Sequence, residues 1–353
     1  MQLPVPVIRS DAHLDHDGLI EFLNGAPVPC FESPARALAI ENALRDAPGY
    51  EFVEPDDHGL EPVLALHDPG LNETLANAWQ DALATGMTDG SRPLLPDSFL
   101  TGAYAAGHPT SRPGRSHRLW SYAFDTCTPL VGGTYRAARV AVDAALTAVD
   151  RVRAGAPLAY ALCRPPGHHA GRAMYGGYCF FNNAAISAQA LIDHGAQRVA
   201  ILDIDYHHGN GSQQLFYDRG DVLYLSLHAD PERAYPYYTG YQTERGFDAG
   251  EGLNRNFPLP ERTDGTRYLG VLGDALRLVA EFAPDGPLVV SAGFDTFHLD
   301  PIADLTLQTD DYAEIGSAIS TLGLPVVAVQ EGGYAVDALG DNVRALLDGI
   351  RGA

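Results

Sequence analysis

The residues best suited to chemistry follow a short apolar run in the middle of the 353-residue chain. Residues 199–202 read as a buried strand and lead into Asp203, Asp205 and His207. Alternate side chains of an extended chain share one face, so we expect these three to point the same way. Two carboxylates and one imidazole suit a divalent metal ion, and burying two carboxylates without a cation is costly.

Another carboxylate is expected at the same place, because residues 287–292 form a second apolar run that ends just before Asp295. The carboxyl ends of parallel strands meet at one edge of a sheet. A set of two carboxylates and one histidine would leave coordination positions open to water and substrate, as in catalytic metal sites. The alternative is that Asp203 and Asp205 cap the next segment and that His207 is a core histidine.

Adjacent histidines follow a third predicted strand, residues 158–163. His168 and His169 come after two prolines and a glycine, which restrict the backbone path. Neighbouring imidazoles beside a metal can divide acid and base work when their surroundings hold their pKa values apart. Asp203 and Asn210 are suited to orient the two rings. Without the metal motif, a His-His pair would indicate only an exposed turn.

A phenol follows the last predicted strand, residues 324–330. Tyr334 comes after two glycines, so a tight turn would present its hydroxyl to a site at the same edge. A phenol can donate a hydrogen bond to an oxyanion that develops on a polarised carbonyl. Taken alone, a tyrosine at a strand end is more often an ordinary amphipathic residue.

The elements that must position these residues read as alternating strands and helices. Near-continuous apolar runs indicate strands covered on both faces, at residues 158–163, 199–205, 222–227, 287–292 and 324–330. Helical patterns occur at residues 34–45, 72–84, 134–153, 182–194, 266–282, 310–322 and 339–350. This order predicts an α/β fold, with one three-layer α/β/α domain over residues 1–353 and a mostly parallel central sheet. Residues 86–118 and 228–261 fit neither period and are predicted to be long functional loops.

Composition excludes several classes of function. All 23 basic residues are arginine, and 45 acidic residues bring the net charge to −22. The absence of lysine excludes a lysine Schiff base and a P-loop. The negative charge disfavours nucleic acid and anionic membranes and attracts cations. The four cysteines include no Cys-x-x-Cys pair and do not indicate a disulfide scaffold. No pattern of a signal peptide or a membrane span is found, so the expected location is the cytoplasm.

In combination the motifs resemble the arginase/deacetylase superfamily, in its zinc-dependent, histone deacetylase-like branch. The resemblance rests on RPPGHH at residues 164–169, DIDYHHGNG at 203–211, EGGY at 331–334 and the isolated Asp295. Segments 175–183, 226–231 and 300–305 stand in the expected order as well. Residues 21–34 are similar to the N-terminal pattern of bacterial acetylpolyamine amidohydrolases, the nearest subfamily.

By position, the resemblance implies roles for the site residues. The ligands of a divalent ion, Zn²⁺ or alternatively Fe²⁺, would be Asp205, His207 and Asp295. The catalytic residues would be the tandem histidines, their two partners and the phenol: His168, His169, Asp203, Asn210 and Tyr334. A structural K⁺ ion would lie against Asp203, Asp205, His207, Ser226 and Leu227.

The resemblance also implies how a substrate binds. The residues that contact it would be Glu21, Gly177, Tyr178 and Tyr235. Glu21 would meet a distal ammonium, while Ser116 and Cys127 stand where the related enzymes carry glutamate, with Asp125 nearby as a substitute. Residues 86–118 would be an insertion near the active-site mouth that packs across a homodimer and narrows the entry.

These observations lead to three hypotheses. The first is a metal-dependent amidohydrolase that removes acetyl groups from small cationic amines, such as acetylpolyamines and acetylated diamines. The second is a lysine deacetylase that acts on peptides or proteins with the same chemistry. The third is a non-catalytic binding module on the same fold, which would be expected to lack part of the metal set or the tyrosine.

Overall fold

The computed structural model describes residues 3–99 and 115–352, and its main sheet has eight strands. These are β1 (Val5–Ile8), β4 (Tyr50–Val53), β5 (Leu158–Ala161), β6 (Val199–Asp203), β7 (Val222–Ala229), β8 (Asn254–Leu259), β9 (Leu288–Ala292) and β10 (Val326–Gln330). The strand order is β4-β1-β5-β10-β9-β6-β7-β8, and every neighbouring pair is parallel. A separate antiparallel hairpin consists of β2 (Ile20–Leu23) and β3 (Ala26–Pro29).

Helices cover both faces of the sheet, as the alternating sequence pattern predicts. One face packs against α2 (Glu61–Leu66), α3 (Pro69–Thr85), α4 (Thr134–Arg153), α5 (Asn183–Asp193) and α6 (Asn210–Phe216). The other face packs against α1 (Pro34–Arg45), α7 (Gly265–Phe282), α8 (Thr309–Ser320) and α9 (Val336–Arg351). Short 3₁₀ turns occur at Asp11–Asp15, Arg115–Ser121 and Asp248–Gly250.

Strand β6 shows why the central strands are apolar throughout. Val199 and Ile201 pack into the core on one face of the sheet, and Ala200 and Leu202 pack into the core on the other. A strand buried on both faces has no polar side, so its sequence reads as a continuous apolar run. The predicted three-layer α/β/α architecture with a parallel sheet is confirmed.

The structure differs from the sequence-based elements mainly at the edges of the sheet. The predicted strand 199–205 ends at Asp203, and the predicted loop 228–261 contains all of β8. Strand β8 is an edge strand with a half-polar sequence, and β4 is only four residues long. Strand β1 is apolar, but it is equally short and contains Pro6, so none of the three gives a strong strand signal. Residues 100–114 of the predicted insertion lie outside the described residues.

Two further sequence features can be compared with the structure. Within residues 3–99 and 115–352, no helix combines the length and the apolar character needed to cross a membrane. Cys163 and Cys179 are buried, as expected for small core residues, and all four cysteines are free.

Candidate active site

The candidate catalytic residues lie at one edge of the sheet because four adjacent parallel strands end there. Strands β5, β10, β9 and β6 are consecutive in the sheet. The segments that follow them carry, in the same order, His168 with His169, Tyr334, Asp295 and Asp205. In open α/β sheets, ligands bind in the crevice at the carboxyl ends of the strands.

The proposed metal ligands converge in a small volume. Donor atoms of Asp205, His207 and Asp295 all lie within 4.8 Å of one another. Nδ1 of His207 lies 2.9 Å from Oδ2 of Asp295 and 3.4 Å from Oδ1 of Asp205. The structure therefore brings together the three ligands that the sequence suggested.

The chain reaches this geometry through turns, and the extended conformation expected for residues 203–207 is wrong. Strand β6 ends at Asp203, whose Oδ1 accepts the N–H of Asp205 at 3.2 Å. Oδ1 of Asp205 then accepts the N–H of His207 at 2.8 Å. Aspartate side chains commonly bond the backbone two residues on, which favours a turn over a continued strand.

The donor set fits a divalent cation. Asp205 and Asp295 are fully buried side by side, and burial together with the Asp205 carboxylate raises the pKa of Asp295. Burial lowers the pKa of His207, but the two carboxylates outweigh it and raise this pKa to about 9. A site whose field favours positive charge so strongly, with two oxygen donors and one nitrogen donor, suits a divalent ion.

The tandem histidines lie beside this triad, with their ring centres 4.0 Å apart. Nδ1 of His168 donates to Oδ2 of Asp203 at 3.1 Å, and Nδ1 of His169 lies 2.7 Å from Oδ1 of Asn210. Carboxylate and amide oxygens only accept, so each ring carries a proton on Nδ1. Nε2 of each ring is then the atom left for chemistry, and the His169 ring borders the cavity described below.

The surroundings hold the pKa values of the two histidines far apart. Burial lowers the pKa of His168, but the carboxylates of Asp205 and Asp203 outweigh it and raise it to about 10. Burial lowers the pKa of His169 well below its usual value, and the neighbouring imidazoles of His168 and His207 lower it further. One ring therefore favours the charged state and the other the neutral state, which is the arrangement that divides acid and base roles.

Tyr334 borders the same cavity as His169 and His207. Its ring meets the ring of Tyr178 edge-on, with centres 5.6 Å apart. Burial raises the pKa of Tyr334 well above that of a free phenol, although the nearby Arg36 opposes this shift. The hydroxyl therefore keeps its proton at neutral pH and can donate a hydrogen bond to an oxyanion.

Buried charges that sequence reasoning missed hold the turn that carries Tyr334. Arg36, which is almost fully buried, donates to the carbonyls of Gly333 and Glu331, both at 2.6 Å, and its guanidinium lies 4.7 Å from the ring centre of Tyr334. Oδ2 of Asp300 accepts the N–H of Tyr334 at 2.7 Å. An arginine in the first turn of a helix is normally exposed, so the sequence carried no signal for this contact.

Glu331 is a second missed residue, although it belongs to the EGGY motif. Its Oε2 accepts the N–H groups of Gly167 at 2.7 Å and His168 at 3.1 Å, and its Oε1 accepts the hydroxyl of Ser291 at 2.8 Å. The carboxyl is fully buried, and burial raises its pKa to about 7. Glu331 thus joins the loops after β5 and β10 to strand β9.

A cavity of about 180 Å³ opens onto these residues. Residues with chemical or recognition roles on its wall are Glu21, His169, Gly177, Tyr178, His207, Tyr235 and Tyr334. The Tyr235 ring stands edge-on to the His169 ring at 5.0 Å and stacks on Phe124 at 6.1 Å. The cavity is therefore a space lined by aromatic rings, and His207 of the proposed metal triad and the Tyr334 phenol both lie on its wall.

Glu21 gives this cavity a carboxyl group of its own. It extends from strand β2, is 1% exposed, and accepts the hydroxyl of Tyr178 on Oε1 at 3.0 Å. Its Oε2 has no partner of hydrogen-bonding geometry among the described residues. Burial raises the pKa of Glu21 to about 7, despite the opposing Cys30 thiol and Tyr178 hydroxyl. A buried carboxyl on a cavity wall is suited to receive a cationic group.

The other residues that the sequence suggested for substrate recognition do not all line the cavity. Cys127 lines the cavity, but Asp125 is not among the lining residues. The side chain of Ser116 lies outside the described part of the structure. Of the predicted insertion at residues 86–118, no described residue lines this cavity, and residues 100–114 are not described.

The residues expected at a K⁺ site lie on the strand pair β6–β7 and in the turn that follows β6. The register of the strand pair places Asp203 opposite Ser226, and Oγ of Ser226 lies 2.7 Å from Nδ1 of His228. All five residues are buried: Asp203, Asp205, His207, Ser226 and Leu227. Their oxygen donors suit a hard cation, and the identity of this ion stays a prediction.

The fold and this site define a family, and the sequence comparison agrees. The histone deacetylase domain model matches residues 30–350, so the chain belongs to the histone deacetylase domain family.

Individual relatives resemble the chain over nearly its whole length. Acetylpolyamine amidohydrolase 2 of Pseudomonas aeruginosa is 45% identical, with 98% of each chain covered. Acetylpolyamine amidohydrolase of Mycoplana ramosa is 41% identical and covers 98% of this chain and 99% of its own. The crystal structure of acetylpolyamine aminohydrolase from Burkholderia pseudomallei matches with a TM-score of 0.91 and 37% identity, covering 98% of each chain.

Proposed function

We propose that this protein is a divalent-metal-dependent amidohydrolase that removes acetyl groups from acetylated polyamines and diamines. The observation that carries the proposal is one cavity that meets both requirements of such a substrate. His169, His207 and Tyr334 lie on its wall for amide hydrolysis, and Glu21 lies on the same wall for an ammonium group. The names of the full-length relatives support the substrate class. We further propose that residues 1–353 form one catalytic domain.

We assign the divalent ion, Zn²⁺ or Fe²⁺, to Asp205, His207 and Asp295. When bound, the ion supplies a Lewis acid that polarises the acetyl carbonyl and makes water more acidic. Few protein ligands leave coordination positions for water and substrate. The K⁺ ion assigned to the β6–β7 site would be structural.

The histidines move the protons of the reaction. Nε2 of His169 accepts the proton of the attacking water, because burial keeps this ring neutral and Asn210 holds its Nδ1 proton. The same proton then passes to the amine nitrogen as the carbon–nitrogen bond breaks, which releases acetate and the free amine. His168, whose Nδ1 is held by Asp203, stabilises the negative charge that develops on the acetyl group.

The remaining residues orient the substrate. Tyr334 donates its hydroxyl to the carbonyl oxygen as that oxygen becomes negative. Tyr178 and Tyr235 hold the methylene chain between their rings, beside Gly177. Glu21 receives the distal ammonium, and the net charge of −22 draws cationic substrates toward the protein.

The test is a panel of three amides that differ in one property at a time. N-acetylputrescine carries a free ammonium, and N-pentylacetamide is its neutral analogue of similar shape. An acetyl-lysine peptide with a free N-terminal amine is cationic but bulky. We expect the Zn²⁺-loaded enzyme to give the highest kcat/KM with N-acetylputrescine, measured by acetate release. A preference for the peptide would establish lysine deacetylation instead, and no turnover of any amide would indicate a binding module. Light scattering tests the predicted homodimer.

A further inference from the structure

Asp125 lies behind the cavity wall rather than on it. Its side chain is partly buried and does not line the cavity, whereas its contacts Cys127, Gly177 and Tyr235 all do. A substrate in the cavity therefore meets these three residues and not the carboxylate. Any effect of Asp125 on a substrate must pass through them.

The carboxylate of Asp125 is occupied by bonds to the cavity wall. Its Oδ2 accepts the hydroxyl of Tyr235 at 2.7 Å, the N–H of Gly177, and the hydroxyl of Thr128 at 3.3 Å. Its Oδ1 accepts the N–H of Cys127 at 3.1 Å. Hydrogen bonds to an ionised acceptor are about twice as strong as neutral ones, so this group holds its donors firmly. The role of a substitute anion for the substrate ammonium, suggested by the sequence, does not fit a carboxylate in this position.

The two main donors belong to two separate segments of the chain that both line the cavity. Gly177 has a φ of 56°, and a Cβ atom there would lie 2.1 Å from the His169 ring. The backbone of Gly177 is therefore packed tightly against this ring. Tyr235 stands edge-on to the same His169 ring at 5.0 Å. Burial, with Asp125 close by, raises the pKa of Tyr235 well above the usual phenol value, so its hydroxyl stays a donor. Both segments of the wall thus lie against His169, and one carboxylate connects them.

We propose that Asp125 is a positioning residue that sets the width of the substrate cavity by tying Gly177 and Tyr235 together. The inference rests on the proposed function. It makes Asp125 a determinant of selectivity for slender acetylated amines, because a narrow space between two aromatic walls excludes branched or bulky chains. The effect is one of shape, so it should apply equally to charged and neutral slender substrates.

The first experiment compares Asp125→Asn with the wild-type enzyme on the three amides named above. We expect KM to rise about tenfold for both N-acetylputrescine and N-pentylacetamide, consistent with the loss of strong bonds to a charged group. The acetyl-lysine peptide should be affected less, so the selectivity for slender substrates falls. Tyr235→Phe keeps the ring, should fold normally, and should reproduce part of this loss. In the double variant the losses should not multiply, because both changes break the same tie.

Controls separate this role from a general structural one. Tyr241→Phe changes a hydroxyl in the same segment that bonds to the carbonyl of Tyr237, and it should behave like the wild type. Hydrogen exchange of a peptide covering residues 175–181 should be faster in Asp125→Asn and unchanged in Tyr241→Phe. The exchange measurement needs no substrate, so it tests the tie even if the wild type hydrolyses none of the three amides, an outcome that would defeat the proposed function alone.

Three results would overturn the inference. A KM increase confined to N-acetylputrescine would mean that Asp125 binds the ammonium directly. Losses that multiply in the double variant would mean that Asp125 and Tyr235 act independently. If Asp125→Asn and Tyr235→Phe both had the kinetics and the hydrogen exchange of the wild type, the bonds of Asp125 to Gly177 and Tyr235 would have no influence on the cavity.

Discussion

The reacting end and the recognition end of the cavity are held in different ways. Asp205 and Asp295 are fully buried and follow central strands of the sheet, and their neighbours fix them through backbone bonds. Glu21 instead belongs to the β2–β3 hairpin, outside the main sheet, where Ile20, Phe22 and Leu23 are between 37% and 42% exposed. The proposed chemistry thus lies at the buried centre of the sheet, and the proposed recognition of the amine lies on a peripheral element.

The two proposed functions of the cavity, catalysis and recognition of the amine, should therefore be separable by mutation. Catalytic groups need accurate placement, which strands and buried hydrogen bonds supply. A distal ammonium needs only a nearby anion, so a hairpin is sufficient to carry it. Changes at the sheet edge should therefore alter kcat, whereas changes at the hairpin should alter KM for charged substrates.

The largest expected effect is the loss of the metal site. His207→Ala removes the only nitrogen among the three proposed ligands and should abolish both metal binding and hydrolysis. Elemental analysis and acetate release measure the two effects. His194→Ala, which changes an exposed histidine at the end of α5, is the matched control. Full metal content in His207→Ala would show that the ligand assignment is wrong.

The next largest effect should come from the phenol. Tyr334→Phe removes one oxyanion donor and should lower kcat by ~10²–10³-fold while metal content and KM change little. Steady-state kinetics with N-acetylputrescine give both parameters. An increase in KM at unchanged kcat would place Tyr334 among the binding residues instead.

A smaller effect on kcat should follow from Glu331→Ala. This change leaves the buried N–H groups of Gly167 and His168 without their acceptor, at a cost of about 1–3 kcal/mol for each unsatisfied group. We expect kcat to fall by roughly 10–100-fold and the thermal midpoint to drop, with bound metal retained. Ser291→Ala removes only one hydrogen bond to the same carboxyl, so its kcat and its thermal midpoint should lie between those of Glu331→Ala and the wild type. If Glu331→Ala lost metal but kept the wild-type kcat per bound metal ion, Glu331 would have no role in placing His168.

The smallest effect should appear at the hairpin and only for charged substrates. Glu21→Gln should raise KM for N-acetylputrescine about tenfold and leave N-pentylacetamide unchanged, because only the former has a charge to lose. An equal effect on both amides would remove Glu21 from the recognition site.

The raised pKa of Glu21 adds a pH signature to the same comparison. Since burial raises this pKa to about 7, the carboxyl loses its charge as the pH falls from 8 to 6, and KM for N-acetylputrescine should rise over that interval. The neutral amide should show no such change in KM, and neither substrate should show it in Glu21→Gln. A ratio of the two KM values that is constant with pH would show that Glu21 does not titrate in contact with the substrate.

The sequence predicted the central sheet and the proposed catalytic set because both are encoded locally. Buried parallel strands are apolar runs, and Asp205, His207 and Tyr334 stand within a few residues of strand ends. The strand end at Asp203 was misplaced because side-chain bonds to the backbone, and not hydrophobicity, stop the strand there. Apolar periodicity contains no information about such bonds.

The supporting charges could not be predicted because their partners are distant in sequence. Arg36 has the sequence context of an ordinary helix residue, and only the fold shows that it donates a hydrogen bond to the carbonyl of Gly333. Asp125 was noticed for its charge and position, but its bonds to Gly177 and Tyr235 depend on two loops whose paths no local pattern describes. Sequence reasoning found the proposed reacting groups and the partners of the two histidines, but it missed the supporting contacts of Arg36 and Asp125.

The position of β10 in the sheet has a consequence for the order of folding. The last strand of the described chain lies between β5 and β9, in the centre of the sheet, and Arg36 bonds across 297 residues to the turn that follows it. Pairings this far apart in sequence form slowly, and until β10 inserts, the inner edges of β5 and β9 are unpaired. During synthesis, a chain without residues 326–334 therefore lacks both its central strand and Tyr334. Catalytic competence therefore arises only after residue 334 has been made, and the open strand edges of the nascent chain need protection from aggregation until then.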